Sequence, residues 1–493
     1  MSNSARSQSH TPPEIVENPQ TETELIQPGQ VTEQQQEYPD LFGMLLKFLQ
    51  APGDVLLVQG SPGTGKTTLA LEILRNARSS RKVYASSRTS PTKLRQHFPF
   101  IDEVLDSMSG RVARSNWITE LQDFRGQDSD NVFNKVLRLK HSRESGLMVI
   151  DSWEGALRNT TDEGRGMLES AILSELEDSQ LSIVLVTEGA RVGDLGHLVD
   201  GIVTLSSSEI EGRVTRSLIV NKMRGVRVPI NHALFSLEGG RFSFLPYAVA
   251  YNGIGAPAEH GHPIQNTASH FSTGSSDLDL LLGGGVKRGS FVLIEVDGGV
   301  PPDGLRMLLN TMLANFLNQG GSSFAIPLGS FSSEYFAESL KPFIGPEVLE
   351  ERVRIADFKV DSSARKWRVP LKGKLHEDAE TFLSAWTSLG VESPKMLVVD
   401  YDRVLQVYGD DQPFASLAGI GESMRDSGSL HIGLISRHTR LREELLRAAD
   451  YHLKLKSHEG STLLFGVKPY TPIFGTRFEF NEDVPHLTLH PMV

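Results

Sequence analysis

Gly60-Ser61-Pro62-Gly63-Thr64-Gly65-Lys66-Thr67-Thr68 decides how the first half of this chain is read. The spacing G-x-x-x-x-G-K-T is that of a phosphate-binding loop. Its flanks fit the motif. Val55-Leu56-Leu57-Val58 leads in as a buried strand, and Leu69, Ala70, Leu71, Ile73 and Leu74 lead out with helical spacing. Gly60, Gly63 and Gly65 let the backbone curl so that successive N–H groups face inward, and the helix that follows presents its partly positive N-terminus to the same point. Lys66 is expected to reach the β- and γ-phosphates and the Thr67 hydroxyl to ligate Mg2+, with Ser61, Pro62, Thr64 and Thr68 completing the cradle. An ordinary glycine-rich turn explains the glycines but not the lysine, the hydroxyl and both flanks together.

The 493 residues exceed one ordinary core, and 39% hydrophobic content is enough for two. No cysteine is present, which rules out disulfides and thiolate metal sites. No run approaches the roughly 20 apolar residues that span a bilayer, so a cytoplasmic protein without membrane insertion is the expectation. Residues 1–40 hold seven acids against Arg6, half of the formal −12, in a segment rich in Gln, Ser, Pro and Thr. Residues 1–37 therefore read as a disordered acidic, Gln-rich tail. The acidic total argues against a surface made to wrap nucleic acid. Arg138, Lys140 and Arg143 form only a modest basic cluster, mixed with acids.

The apolar runs occur twice. Leu147–Asp151, Ile183–Thr187, Ile202–Leu205 and Leu218–Lys222 follow the loop; Phe291–Ile294, Met396–Asp400, Ile432–Ser436, Tyr451–Leu455 and Leu463–Lys468 repeat the order. Asp151 to Asp200 is 49 residues and Asp400 to Asp450 is 50; Asp151 to Lys222 is 71 and Asp400 to Lys468 is 68. Such strands, joined by helical connectors, predict an α/β fold: two tandem, mainly parallel twisted sheets flanked by helices, binding ligand at the carboxyl ends of the strands. The expected domains are 38–245 with the intact loop and 271–493. A linker over 246–270 is marked by Gly253, Gly255, Pro257 and Pro263, and its His260 and His262, with no nearby carboxylate or cysteine of ligand spacing, read as linker histidines.

These residues resemble the RecA superfamily of ATPases, and within it the tandem-domain KaiC-like proteins. Thr273–Gly289 looks like the entry segment of a KaiC-type domain, and Leu198–Val203 with Lys222-Met223-Arg224-Gly225 is similar to the family's late strands. Ser87-Arg88-Thr89-Ser90-Pro91 is similar to the archaeal group that includes gas-vesicle regulatory protein D. The resemblance implies ATP and Mg2+ as cofactors and Asp151 as the acid that holds the magnesium shell. It further implies Lys222 and Arg224 as a pair completing the site of a neighbouring subunit. A homo-oligomeric ring follows, a hexamer being compatible with it, together with a regulatory protein partner of unknown identity. A DNA-dependent recombinase or helicase-like motor is the alternative in the same superfamily, but no basic loop with stacking aromatics supports it.

Two departures from the family stand out, and the first lowers the expected turnover. The family's water-orienting glutamate after the second core strand is missing from Val83–Pro91, where Arg88 is a candidate to touch phosphate or to pair with a neighbour's acid; Glu154 and Glu188 are the nearest acids and read as structural before substitute. In the second half the loop reads Glu295-Val296-Asp297-Gly298-Gly299-Val300-Pro301-Pro302-Asp303-Gly304-Leu305-Arg306, with acids in place of the lysine, and the late pair shrinks to Lys468-Pro469-Tyr470. That half reads as a degenerate copy without a working phosphate loop.

Overall fold

The computed structural model describes residues 40–103, 120–125, 134, 136–138, 145–158, 160–176, 179–189, 195–247, 263–326, 331–358, 365–390, 393–409, 422–481 and 484–493. The acidic tail, Lys140, Arg143 and the centre of the expected linker lie outside them.

In the first half, β1 (Val55–Gly60), β2 (Arg81–Ser86), β3 (Glu120–Asp123), β4 (Gly146–Asp151), β5 (Leu181–Thr187), β6 (Gly201–Ile210), β7 (Arg213–Met223), β8 (His232–Ser236) and β9 (Ser243–Phe244) form one sheet. Its order is β3-β2-β4-β5-β1-β6-β7-β8-β9. The first six in that order run parallel and the last three add on antiparallel. Strand alternation sends Val55 and Leu57 to the core on one face and Leu56 and Val58 to the other, where α1 (Leu41–Phe48) and α2 (Lys66–Asn76) pack. A strand buried on both faces has no polar side, which is why β1 opens with an unbroken apolar run, Val55–Val58.

The second half repeats this plan. After the short pair β10 (His270–Phe271) and β11 (Val286–Lys287) come β12 (Phe291–Val296), β13 (Ser322–Ile326), β14 (Val353–Asp357), β15 (Arg368–Pro370), β16 (Lys395–Asp400), β17 (Leu430–Ile435), β18 (Tyr451–His458), β19 (Ser461–Lys468), β20 (Phe474–Asn481) and β21 (Val484–Pro491). The order β15-β14-β13-β16-β17-β12-β18-β19-β20-β21 matches the first sheet strand for strand, with β15 added at one edge. Equivalent contacts recur: Val55 N donates to Asp200 Oδ2 at 3.2 Å, and Phe291 N to Asp450 Oδ2 at 2.9 Å.

One connection differs from the sequence expectation. The last apolar runs of each half are joined not by helical connectors but by tight hairpins, β6–β7 and β18–β19, turning at Glu211-Gly212 and Glu459-Gly460. Both glutamates take positive φ, 49° and 45°, so the polar pair preceding each strand was the available signal.

The β6–β7 tip reaches the second half. Arg213, 6% exposed, donates from Nε to Thr471 O and from Nη2 to Gly466 O, both at 2.7 Å, and stacks on the rings of Phe465 and Tyr470. Glu211 accepts from Lys454 at 2.8 Å and Lys456 at 3.1 Å. Beneath it Leu234 and Leu245 share a core with Leu463, Phe465, Ile473 and Met492.

Candidate nucleotide site

The parallel strands of the first sheet end on one edge, which brings the loop after β1, Arg88 beyond β2, Asp151 at the end of β4 and Glu188 beyond β5 around one open cavity of about 360 Å³. Gly60 and Gly65 are required where they stand. A Cβ at Gly60 would lie 2.3 Å from Leu205 O, and Gly65 has φ 97° as it caps α2. The α2 N-terminus therefore opens directly into the cavity with its first N–H groups unspent.

Lys66 is buried, with Nζ donating to Gly60 O at 2.7 Å and Ser61 O at 2.8 Å. Burial lowers its pKa; the nearby Asp151 and Glu154 charges oppose that shift and Arg88 adds to it. Thr67 Oγ1 donates to Asp151 Oδ2 at 2.6 Å. The hydroxyl and carboxylate expected to share a magnesium ion thus meet across 84 residues of sequence. Oxygen donors of this kind suit a hard cation, and the charges suit a triphosphate: an ammonium and free amides on one wall, a carboxylate behind them.

Tyr84 was missed by the sequence reading. It is fully buried in β2, and its hydroxyl donates to the same Asp151 Oδ2 at 2.6 Å. Burial and the adjoining Asp151 charge push its pKa well up, so it remains a donor. The available signal was a hydroxyl between the apolar Val83 and Ala85 in the buried half of β2. Ser87 Oγ accepts from Ser152 N at 2.9 Å and donates to Ser152 O at 2.8 Å, tying β2 to the turn after Asp151.

The candidate substitutes for a water-orienting glutamate are both engaged. Glu154 Oε1 accepts from Glu188 N at 2.9 Å, while its Oε2 is buried with no partner among the described residues. Glu188 pairs with Arg88.

Lys222 and Arg224 stand elsewhere. They lie at the end of β7 that pairs with Gly201 and Ile202, beside Leu56 and Leu57, whereas the loop leaves β1 at Gly60. Four residues of strand, roughly 13 Å, separate the two ends. Lys222 Nζ donates to Val199 O at 2.5 Å and Gly196 O at 3.1 Å; Arg224 pairs with Asp200 at 2.9 Å. In the second half Lys468 Nζ donates to Ala449 O at 2.6 Å, the same contact in a copy with no lysine cradle. The lysine is thus an architectural brace in both halves, and Arg224, with a side chain 59% exposed, is the member able to reach outward.

The second loop has no lysine to set against a phosphate. Five residues separate strand from helix in both halves, Ser61–Gly65 and Asp297–Pro301, so Pro302 stands where Lys66 does and Asp303 where Thr67 does. Arg306 turns back to Asp303 at 2.8 Å. Glu295, at the end of β12, takes Arg442 at 2.9 Å and His452 at 3.0 Å; burial works against its charge, yet these partners and Lys454 hold its carboxyl down to about 2.

Residues 50–245 match the family described as "ATPase: KaiC". The chain is similar to Protein GvpD1 of Halobacterium salinarum, 24% identical over 90% of this chain and 95% of that protein. Protein GvpD2 of the same organism shows the same identity and coverage. A shorter UPF0273 protein of Thermotoga maritima is 28% identical, over 35% of this chain and 79% of its own length. Among the described residues no helix is long and apolar enough to cross a membrane.

Proposed function

We propose that this chain, which carries a KaiC-type ATPase domain at residues 50–245, binds one Mg2+–ATP in its first half and uses the bound nucleotide to control its assembly or a regulatory partner. The observation that carries this reading is the convergence of Lys66, Thr67 and Asp151 at the mouth of α2. Gly60, Gly63 and Gly65 shape the loop around the phosphates, Lys66 offsets their charge, and Thr67 with Asp151 holds the magnesium shell. Hydrolysis is slow, because β2 runs into Ser86-Ser87-Arg88-Thr89 without the carboxylate that would orient the attacking water. Arg224, at the opposite end of the sheet from its own loop, completes the site of an adjoining subunit, braced by Lys222; a ring satisfies every such contact. Nucleotide state then sets assembly by ordering groups at the subunit boundary.

Calorimetric titration with Mg2+–ATP tests this. One site per chain is expected, and Lys66→Ala should weaken binding about 100-fold or more through lost charge-assisted contacts, while Asp303→Asn leaves it unchanged. Two equivalent sites, or equal effects of the two changes, would refute the reading. Turnover strongly stimulated by single-stranded DNA would favour a DNA-dependent motor instead.

A further inference from the structure

Arg88 and Glu188 form an ion pair whose two side chains are both in the wall of the nucleotide cavity, 46% and 28% exposed, on strands separated by β4. Here β2, β4 and β5 are already laced together by backbone hydrogen bonds, and Glu188 is separately anchored by its own N–H on Glu154. The pair therefore adds little to architecture, and exposed pairs of this kind contribute little to stability.

Its position gives it another use. Ser86 pairs with Asp151 in the β2–β4 register, and Arg88 lies two residues beyond, so its guanidinium enters from the Asp151 side, opposite the loop. A triphosphate seated with its β-phosphate on the loop amides and its metal at Thr67 and Asp151 extends its terminal phosphate toward that side. The Arg88 charge is felt at the Lys66 ammonium, which marks how close the two cations stand.

Resting on the nucleotide-site reading above, we propose that Arg88 is the residue that distinguishes nucleoside triphosphate from diphosphate, binding the γ-phosphate when it is present and returning to Glu188 when it is not. The planar guanidinium suits either partner, since it offers the same fork of N–H groups to a carboxylate or to two phosphate oxygens. Phosphate carries the greater charge, so the triphosphate draws Arg88 away; a diphosphate leaves nothing within its reach, and the pair reforms. Glu188, released at the end of β5, becomes the moving part that reports the nucleotide to the rest of the domain.

The test compares affinities of the full chain for ADP and for a non-hydrolysable ATP analogue, both with Mg2+, by calorimetry. The wild-type protein should prefer the triphosphate by tenfold or more, on the order expected for charge-assisted hydrogen bonds. Arg88→Ala should weaken triphosphate binding about 10- to 100-fold and leave ADP within about twofold, removing the preference. Glu188→Gln should strengthen triphosphate binding several-fold, because Arg88 no longer has a competing carboxylate. Unchanged melting temperatures establish that both variants fold. Equal weakening of both nucleotides by Arg88→Ala, or no weakening of either, overturns the proposal while leaving the nucleotide site intact; a wild-type chain that takes up neither nucleotide overturns the site itself.

Discussion

Asp151 Oδ2 accepts hydrogen bonds from the hydroxyls of Thr67 and Tyr84, both at 2.6 Å, which restrains the rotation of the carboxylate at the wall of the nucleotide cavity. A carboxylate held by one partner can turn; held by two it is preorganised for the water shell of a cation. Tyr84→Phe removes one hydroxyl and no volume. It should weaken the magnesium dependence of nucleotide binding about tenfold, the cost of a hydrogen bond to a charged group, with metal-free binding unchanged. Titration of Mg2+ at fixed nucleotide checks this; an unaltered midpoint would reduce Tyr84 to core packing. The two hydroxyls illustrate what a motif transmits. Thr67 is legible because it stands at a fixed step from Lys66, whereas Tyr84 meets Asp151 only after β2 and β4 are laid side by side in register.

At the scale of elements, the β6–β7 hairpin does more than extend a sheet. Its tip delivers Arg213 to two backbone carbonyls and two aromatic rings of the second half, and Glu211 to Lys454 and Lys456. Arg213→Ala would take the guanidinium donor from the Thr471 carbonyl and leave Gly466 O with Thr471 N, a loss of about 1–3 kcal/mol. The expected readout is a single thermal transition of the wild type splitting into two, one for each sheet; a single transition at an unchanged temperature would show that the shared apolar core suffices. The hairpin's twin, β18–β19, belongs to the half whose cradle has Pro302 for the lysine and Asp303 for the threonine. Both halves retain the architectural contacts, Asp200 with Asp450 and Lys222 with Lys468, and only one retains the chemical ones. Packing constrains the first kind of residue wherever the fold is kept, and a ligand constrains the second only where it binds.

At the scale of the whole molecule, Arg224 and the loop of the same chain lie at opposite ends of one sheet, so the trans role proposed for Arg224 requires a second copy of the chain. Masses from light scattering with and without Mg2+–ATP should rise with nucleotide, and Arg224→Ala should hold the protein at low mass while ATP still binds. Monomer under both conditions would end the trans role. Lys222→Ala alone should chiefly cost stability, since its ammonium satisfies the Val199 carbonyl. The sequence by itself determined the phosphate loop, the duplicated α/β plan and the loss of the second cradle, because each is written in residues close along the chain: glycine spacing, apolar runs, a missing lysine. Only the tertiary structure decided that Tyr84 shares Asp151 with Thr67, that Arg88 faces Glu188 across β4, that Lys222 is a brace, and that the β6–β7 tip clasps the second half. Those pairs lie 23 to 258 residues apart, and neither sheet order nor register is encoded in local periodicity.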